Sequence, residues 1–153
     1  MAMTSEYPYR VGAVAYILNN KGQLLLVQLI NYGANEWNIP GGGRDDGESA
    51  EQNILRELKE ELFIEPNDLK LIGRPIKPLK YEFPPELANE RKQRGQIKDQ
   101  FVFKYLLEQP KLAYDKSEIK AAMWCDLDKL SYYLLFPGQL QTVTDTLAES
   151  GIL

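Results

Sequence analysis

The residues best suited to chemistry in this sequence are three closely spaced glutamates, Glu57, Glu60 and Glu61. Residues three or four apart face each other on a helix, where like charges repel by about 0.2–0.5 kcal/mol per pair. Glu61 would also fall within the apolar stripe of that helix, where a carboxylate loses hydration. A hard divalent cation would offset both costs, because Mg²⁺ and Mn²⁺ prefer carboxylate oxygens. The spacing indicates a metal site, and a solvated acidic helix face paired with Lys and Arg is the alternative.

A glycine-rich turn precedes these glutamates and favours the metal site. Gly41, Gly42, Gly43 and Gly47 follow Pro40, and glycine lets a backbone bend sharply and approach a ligand closely. We therefore assign the backbone of Gly41 to the metal site and the backbones of Gly42 and Gly43 to substrate binding.

The helix that must position the glutamates is predicted by its cap and its apolar spacing. Ser49, followed three residues later by Gln52, forms a capping box. Apolar residues then recur at the spacing of one buried helix face, at Ala50, Ile54, Leu55, Leu58 and Leu62. The sequence thus predicts a helix that begins after Ser49 and carries the glutamates beside its buried stripe.

The composition excludes several other chemistries. The chain has no histidine, which excludes a histidine general base and an ordinary zinc site. The single cysteine, Cys125, allows no internal disulfide and suits a reducing cytoplasm. A net charge of −4 argues against a general nucleic-acid coat or a membrane-surface protein, and no apolar stretch is long enough to cross a bilayer. We expect a cytoplasmic protein with one domain over residues 1–153.

The remaining patterns predict an α+β fold. Asn19 to Gly22 is strong turn chemistry between two runs of β-forming residues, which indicates a hairpin. The predicted strands are 10–18, 23–30, 69–73, 101–107 and 121–125, and a final helix is predicted at about 139–149. This order suits a mixed β-sheet packed between helices, an α/β/α sandwich.

The segment 74–98 is predicted to be a long loop, with a short helix from Pro85 as an option. It carries seven basic and three acidic residues, a local balance of +4 in a protein of net −4. Loops of this length are usually functional, and a basic one could hold an anionic substrate beside an acidic metal site. A solvated insertion is the alternative. Tyr81 within it could stack on a base or pin the loop to the core.

The turn and helix together resemble the Nudix box. Gly42, five residues, Glu48, seven residues and then Arg56 to Glu61 match its spacing over more than twenty positions, and Phe63 stands where the box has glycine. The chain also resembles one branch of that family, the RNA pyrophosphohydrolases and diadenosine polyphosphate hydrolases. The residues outside the box that carry this likeness are Tyr9, Arg10, Trp37 to Gly43, Tyr81, Gly95, Gln96, Glu118, Trp124 and Phe136. That branch commonly has Gln where this chain has Gly41, and Lys where it has Pro137.

The resemblance implies the Nudix fold and attack of water on a phosphorus of a nucleoside diphosphate linked to another group. It assigns Glu57, Glu60 and Glu61 as Mg²⁺ ligands, with Mn²⁺ as an option, and Glu118 as a later carboxylate that binds metal or acts as base. Metal ions would neutralise the phosphates and lower the pKa of the attacking water. Because histidine is absent, Glu57, Glu61 or Glu118 would take the proton, and the sequence leaves that choice open.

The other site residues have less specific roles. Arg56 is expected to orient the carboxylates through charge-assisted hydrogen bonds, with a substrate contact as the alternative. Candidate phosphate binders are Arg10 and Lys98. Candidate base contacts, with core packing as the alternative, are Trp37, Tyr81 and Phe136.

Three functions are consistent with these residues. The first is hydrolysis of a dinucleoside polyphosphate or of the 5′-triphosphate end of an RNA. The second is a pyrophosphatase for a canonical or oxidised nucleoside triphosphate, ADP-ribose or a nucleotide sugar. The third is a Nudix-fold nucleotide sensor without catalysis, which an intact set of three glutamates argues against. In each case the expected partner is a nucleotide or dinucleotide and not a membrane.

Overall fold

The fold is built on a mixed β-sheet of seven strands. The structure is a computed structural model that describes residues 6–108 and 112–153. The strands are β1 (Tyr9–Leu18), β2 (Leu24–Leu29), β3 (Gly41–Gly43), β4 (Leu69–Gly73), β5 (Leu79–Glu82), β6 (Gly95–Tyr105) and β7 (Ile119–Cys125). The helices are α1 (Ala50–Leu62), α2 (Pro85–Arg91), α3 (Leu130–Tyr133) and α4 (Gln139–Glu149). Among the described helices, none combines the length and the apolar character needed to span a membrane.

The sheet is organised around the pair β1 and β6. Its order is β4-β6-β1-β2-β7, with β3 paired to β1 and β5 paired to β6. The β1–β6 pair is parallel along all of β1, and the other pairs are antiparallel. Strand β2 pairs with β1 only at Leu18. The glycine-rich strand β3 therefore pairs with β1 further back, at Gly12 to Val14.

Alternating side chains along the strands form two cores, one on each face of the sheet. The first packs the stripe of α1 (Ile54, Leu58 and Leu62) on residues such as Ala15 and Phe101. The second lies under α3 and α4 and includes Tyr16, Val102, Leu130, Val143 and Leu147. Helices therefore cover both faces, and the predicted α+β sandwich is confirmed.

Several sequence predictions are confirmed in detail. The Ser49–Gln52 capping box is present with both hydrogen bonds. The hairpin of β1 and β2 forms across the predicted turn, and α4 has the predicted bounds. The last two strands begin earlier than predicted, at Gly95 and Ile119.

The prediction of a long loop at 74–98 is wrong, but the short helix from Pro85 that was its option is confirmed as α2. This segment contains β5, α2 and the first residues of β6. Tyr81 of β5 pairs with Gln96 of β6 and Leu79 pairs with Lys98. Both paired stretches are polar, and Pro78 and Pro84 flank β5. Their stability comes from pairing with each other, which a local pattern does not reveal.

The helix carrying the glutamates is capped at its C-terminus by Phe63, the residue that replaces the glycine of the Nudix box. Phe63 has φ 55° and ψ 29°, a left-handed conformation that favours glycine. Its backbone N–H donates to the carbonyl oxygen of Lys59 at 3.2 Å, and its side chain is exposed. The chain thus makes the same turn without glycine, and the left-handed backbone of Phe63 is strained because the residue has a Cβ atom.

We expect Phe63→Gly to raise the free energy of unfolding by about 0.5–1 kcal/mol, because it removes the left-handed strain of a residue with a Cβ at some cost in chain entropy. Chemical denaturation measures this difference. Phe63→Ala is the matched control, since it removes the ring and keeps the Cβ. An equal gain in both variants would place the effect in the ring and contradict the backbone explanation.

Candidate active site

Arg56, in the middle of α1, is the centre of a carboxylate network. Its Nε donates to Glu48 Oε2 at 2.7 Å and its Nη2 donates to Glu48 Oε1 at 3.0 Å. Its Nη1 donates to Glu57 Oε1 at 3.0 Å and to Glu60 Oε2 at 3.2 Å. Hydrogen bonds from Arg56 hold the pKa of the Glu48 carboxyl below its usual range. Asp45 Oδ2 also lies 3.2 Å from Arg56 Nε. One guanidinium therefore contacts four carboxylates, which is the arrangement expected of a residue that orients them.

Glycine at position 42 lets Glu57 lie directly against strand β3. A Cβ on Gly42 would fall within 2.5 Å of Glu57 Oε2. The strand is tied to α1 by Asn53, whose Nδ2 donates to the carbonyl oxygen of Gly43 at 2.9 Å, and by Arg56, whose Nη2 donates to the same oxygen at 2.8 Å. The glycine segment predicted as a turn is thus a short strand that fixes the position of a site carboxylate.

We expect Gly42→Ala to lower activity by about 100-fold without unfolding the protein, because the new methyl group must push the Glu57 carboxylate aside and small displacements of reacting groups are costly. Steady-state kinetics and circular dichroism measure the two effects. Gly33→Ala is the control, since its Cβ would meet only the far end of the Glu36 side chain. Wild-type activity in Gly42→Ala would show that the position of Glu57 does not matter.

Glu61 is the most perturbed carboxyl of the site. Burial, as the largest cause, and the neighbouring carboxylates of Glu57, Glu118 and Glu60 together raise its pKa to about 8. A carboxyl surrounded by other carboxyls favours its neutral form. Glu57, Glu60 and Glu118 therefore lie close enough to Glu61 to disfavour its charged form.

The chemistry of these donors fits a divalent cation. Among the residues that the structure describes, no group of three His, Cys, Asp or Glu side chains is placed so that it could hold a metal ion. Arg56 holds Glu57 and Glu60, and the side chain of Glu60 is 60% exposed. A bound cation would nevertheless remove the repulsion between the Glu61 carboxylate and the carboxylates around it. Glu57, Glu60, Glu61 and Glu118 are the oxygen donors available to hold it.

A small cavity of about 60 Å³ adjoins Glu61. Gly41 and Lys98 also line it, together with Tyr32 and Asn38. Burial, with a smaller contribution from the charge of Arg10, lowers the pKa of Lys98 to about 8. The Glu61 carboxyl and the Lys98 ammonium thus line the same cavity. A phosphate group there could bind both a metal ion held by the carboxyl and the lysine.

Arg10 and Tyr81 lie on the same side of the sheet as Lys98. Arg10 and Tyr81 pair with Gln96 from opposite sides. Burial raises the pKa of Tyr81, and the charge of Tyr32 raises it further. Arg10 extends over the strand that holds Gly43, since a Cβ on that glycine would lie 2.9 Å from Arg10 Nη2.

The two remaining aromatic candidates occupy different places. Phe136 packs edge to face on Tyr32, with 5.6 Å between ring centroids, so it lies behind a residue of the small cavity. Trp37 packs against the second core and edge to face on Tyr133 at 6.2 Å. Trp37 is thus partly buried against the core, and a base contact for it stays a prediction.

A larger cleft of about 610 Å³ opens beside Glu57. Its lining residues are Arg10, Val11, Gly43, Arg44, Asp45, Asp46, Gly47, Glu57 and Gln93. Arg44 and the buried Asn53 were not predicted as site residues from the sequence. Asn53 could have been found from the sequence, because it is a polar residue beside the apolar stripe of α1. Arg44 could not, because its role depends on its contact with the distant Asp99.

Comparison with known proteins gives one family. A family model described as NUDIX domain matches residues 8–145. An RNA pyrophosphohydrolase of Sphingopyxis alaskensis is 30% identical over 130 residues, which cover 82% of this chain and 82% of that protein. An RNA pyrophosphohydrolase of Pasteurella multocida is 42% identical over 79 residues, and that match spans 52% of this chain and 39% of that protein.

Solved structures share the fold at low sequence identity. The E. coli dihydroneopterin triphosphate pyrophosphohydrolase superposes with a TM-score of 0.73 and 18% identity, covering 93% of this chain and 99% of that one. A C. elegans Ap4A hydrolase superposes with a TM-score of 0.65 and 21% identity, covering 90% and 98%. At these identities the likeness supports the architecture alone.

Proposed function

Because this chain belongs to the NUDIX family, we propose that it is a pyrophosphohydrolase that uses a divalent metal ion to cleave a phosphoanhydride bond in a nucleotide. The observation that carries the proposal is the position of Glu61. It lies close enough to the carboxylates of Glu57, Glu118 and Glu60 for their charges to raise its pKa, and it lines a cavity with Lys98. Such a cluster is suited to hold a cation against phosphate oxygens.

The proposed roles of the residues follow from their contacts. Glu57, Glu60 and Glu61 would hold Mg²⁺, with Mn²⁺ as a substitute and Glu118 as a further ligand or base. When bound, the cation would neutralise phosphate charge and acidify the attacking water. Arg56 keeps the carboxylates oriented, and Lys98 and Arg10 bind phosphate oxygens.

The first choice of substrate is a dinucleoside polyphosphate or the 5′-triphosphate end of an RNA. Relatives named RNA pyrophosphohydrolase and a fold neighbour named Ap4A hydrolase support this choice. Exposed basic residues on and after α2, Arg91 and Lys92, would suit the longer anionic tail of an RNA. The free thiol of Cys125 is consistent with a reducing compartment, so the cytoplasm is the proposed location. We also propose that residues 1–153 form one domain.

The test is a substrate panel with and without Mg²⁺ or Mn²⁺. Diadenosine tetraphosphate, 5′-triphosphate RNA, nucleoside triphosphates, ADP-ribose and a nucleotide sugar are compared by product analysis. We expect metal-dependent release of a nucleotide, phosphate or pyrophosphate, fastest for one of the first two. Charge reversal at Arg91 and Lys92 should weaken turnover of RNA more than that of the dinucleotide if RNA is the substrate. No hydrolysis of any compound with either metal would reject the enzyme and favour a nucleotide sensor.

A further inference from the structure

Tyr32 lines the small cavity and has no role in the proposed mechanism. The cavity of about 60 Å³ is also lined by Glu61, Lys98 and Asn38. It lies well below the range of about 300–1,000 Å³ typical of ligand pockets, so it can take a phosphate group but not a nucleoside. The Tyr32 side chain is half-buried, and its ring packs edge to face on Phe136. A tyrosine hydroxyl is therefore held beside the place where a phosphate would bind.

The hydrogen bonds of the Asn38 amide fix its orientation. The backbone N–H of Ile39 can only donate, and its nitrogen lies 2.7 Å from Asn38 Oδ1. Gln139 Nε2 donates to the same oxygen. The amide nitrogen of Asn38 is thereby turned towards Tyr32, and it donates to the Tyr32 hydroxyl oxygen at 3.1 Å. The opposite amide orientation would place one N–H donor against another at Ile39, which would replace a hydrogen bond with a repulsion.

The Tyr32 hydroxyl thus accepts a hydrogen bond from Asn38 and keeps its own proton for another partner. A phenolic hydroxyl carries one O–H donor. Among the residues that the structure describes, none accepts a hydrogen bond from this hydroxyl. Burial, as the largest cause, raises the pKa of Tyr32 above its ordinary value of 10.0, so the O–H group is intact at neutral pH. A donor without an acceptor in the protein therefore borders the small cavity.

The surrounding backbone holds this donor in place. Gln28 on β2 is buried, and its Nε2 donates to the carbonyl oxygen of Gly33, the residue after Tyr32, at 2.9 Å. Asn38 is fixed from the other side, because its backbone N–H and carbonyl oxygen both form 2.9 Å hydrogen bonds with Val27. A donor that is already in position before a ligand binds costs little entropy to use.

We propose that the Tyr32 hydroxyl donates a hydrogen bond to a non-bridging oxygen of the phosphate bound beside Glu61 and Lys98, and that Asn38 is the positioning residue that aims it. This inference rests on the proposed function. A hydrogen bond to a charged oxygen is stronger than one between neutral groups. A fixed donor at these oxygens both binds the phosphate and stabilises the charge that develops on it during cleavage.

Removal of the hydroxyl alone tests the donor. We expect Tyr32→Phe to lower kcat/KM by about 10–100-fold for the substrate that is hydrolysed fastest, with the packing on Phe136 kept. Tyr16→Phe is the matched control, because it removes another buried hydroxyl, which donates to Gln100 Oε1 in the second core at 2.6 Å. It should lower the melting temperature and leave kcat/KM within twofold of the wild type. Unchanged kcat/KM in Tyr32→Phe would overturn the proposal.

Asn38→Asp tests how the hydroxyl is aimed. An aspartate keeps an oxygen for the Ile39 N–H but cannot donate, so the Tyr32 hydroxyl would turn to donate to it and leave the phosphate. Because both substitutions then remove the same hydrogen bond, the loss of kcat/KM in the double variant should be at least tenfold smaller than the product of the two single losses. Losses that multiply in full would show that Asn38 does not act through the hydroxyl.

Binding of inorganic phosphate gives a readout that does not depend on turnover. Calorimetric titration in the presence of Mg²⁺ compares the wild type with Tyr32→Phe and Tyr16→Phe. We expect Tyr32→Phe to bind phosphate at least fivefold more weakly and Tyr16→Phe to bind it as the wild type does. Equal affinity in all three proteins, or no binding by the wild type, would overturn the proposal even if the enzyme is active. If no substrate is hydrolysed but phosphate binding requires the Tyr32 hydroxyl, the proposed function fails and the phosphate donor stands.

Discussion

Glu61→Gln is expected to lower turnover by about 10²–10⁴-fold while the protein remains folded, because glutamine keeps the shape of the side chain but cannot carry the negative charge needed for metal binding or proton removal. Steady-state kinetics, with calorimetric titration of Mg²⁺ as a second readout, measure the effect. Glu51→Gln is the control, since Glu51 is exposed in the first turn of the same helix. Full activity in Glu61→Gln would remove Glu61 from the site.

The same variant has an opposite effect on the stability of the metal-free protein. Burial and neighbouring carboxyls raise the pKa of Glu61 from its ordinary value of 4.5 to about 8. Stability contributed by the neutral carboxyl is fully present below about pH 4.5 and is lost as the pH rises through about 8. Glu61→Gln should therefore melt at a higher temperature than the wild type at about pH 9 in EDTA and at a similar temperature at about pH 4. A difference that does not change with pH would contradict this explanation.

Arg56→Lys should lower activity by about 100-fold and raise the Mg²⁺ concentration needed for half-maximal rate. Lysine keeps the charge but cannot form the fork that holds Glu48 through two nitrogens while also contacting Glu57 and Glu60. The carboxylates would then lose their fixed geometry, and displacements of about 1 Å cost on the order of 100-fold. Kinetics at a series of metal concentrations separate the two effects.

Lys59→Met provides the control for Arg56→Lys. Lys59 lies on the same helix and forms an exposed pair with Glu65 at 3.6 Å, a type of pair that contributes little to stability. We expect activity within twofold of the wild type. A loss of melting temperature in Arg56→Lys with an unchanged metal requirement would mean that Arg56 supports the fold and does not orient the carboxylates.

The parts of the fold that local patterns control were predictable from the sequence. The capping box fixed the start of α1, and the apolar spacing identified the stripe that packs on the sheet. Because helix geometry then dictates which residues share a face, the closeness of Glu57, Glu60 and Glu61 followed from spacing alone. The turn at Asn19 to Gly22 similarly determined the first hairpin.

The parts that depend on distant contacts were not predictable in the same way. Strand β5 exists because it pairs with the start of β6, and nothing in its own residues marks it as a strand. Arg44 matters through Asp99, which is 55 residues away in the chain. Phe63 takes a conformation that its side chain disfavours, because the chain must turn there after α1. In each case tertiary structure overrides the local preference.

The parallel pairing of β1 and β6 has a consequence for the nascent chain. Tyr9 pairs with Gly95 and Leu18 with Lys104, so the partners are 86 residues apart. At translation rates of about 5–20 residues per second, the first strand waits roughly 4–17 s for its central neighbour to be synthesised. During that time its apolar run from Ala13 to Leu18 depends on nearer segments for cover. The interval during which this apolar run lacks its parallel partner is therefore set by the rate of translation.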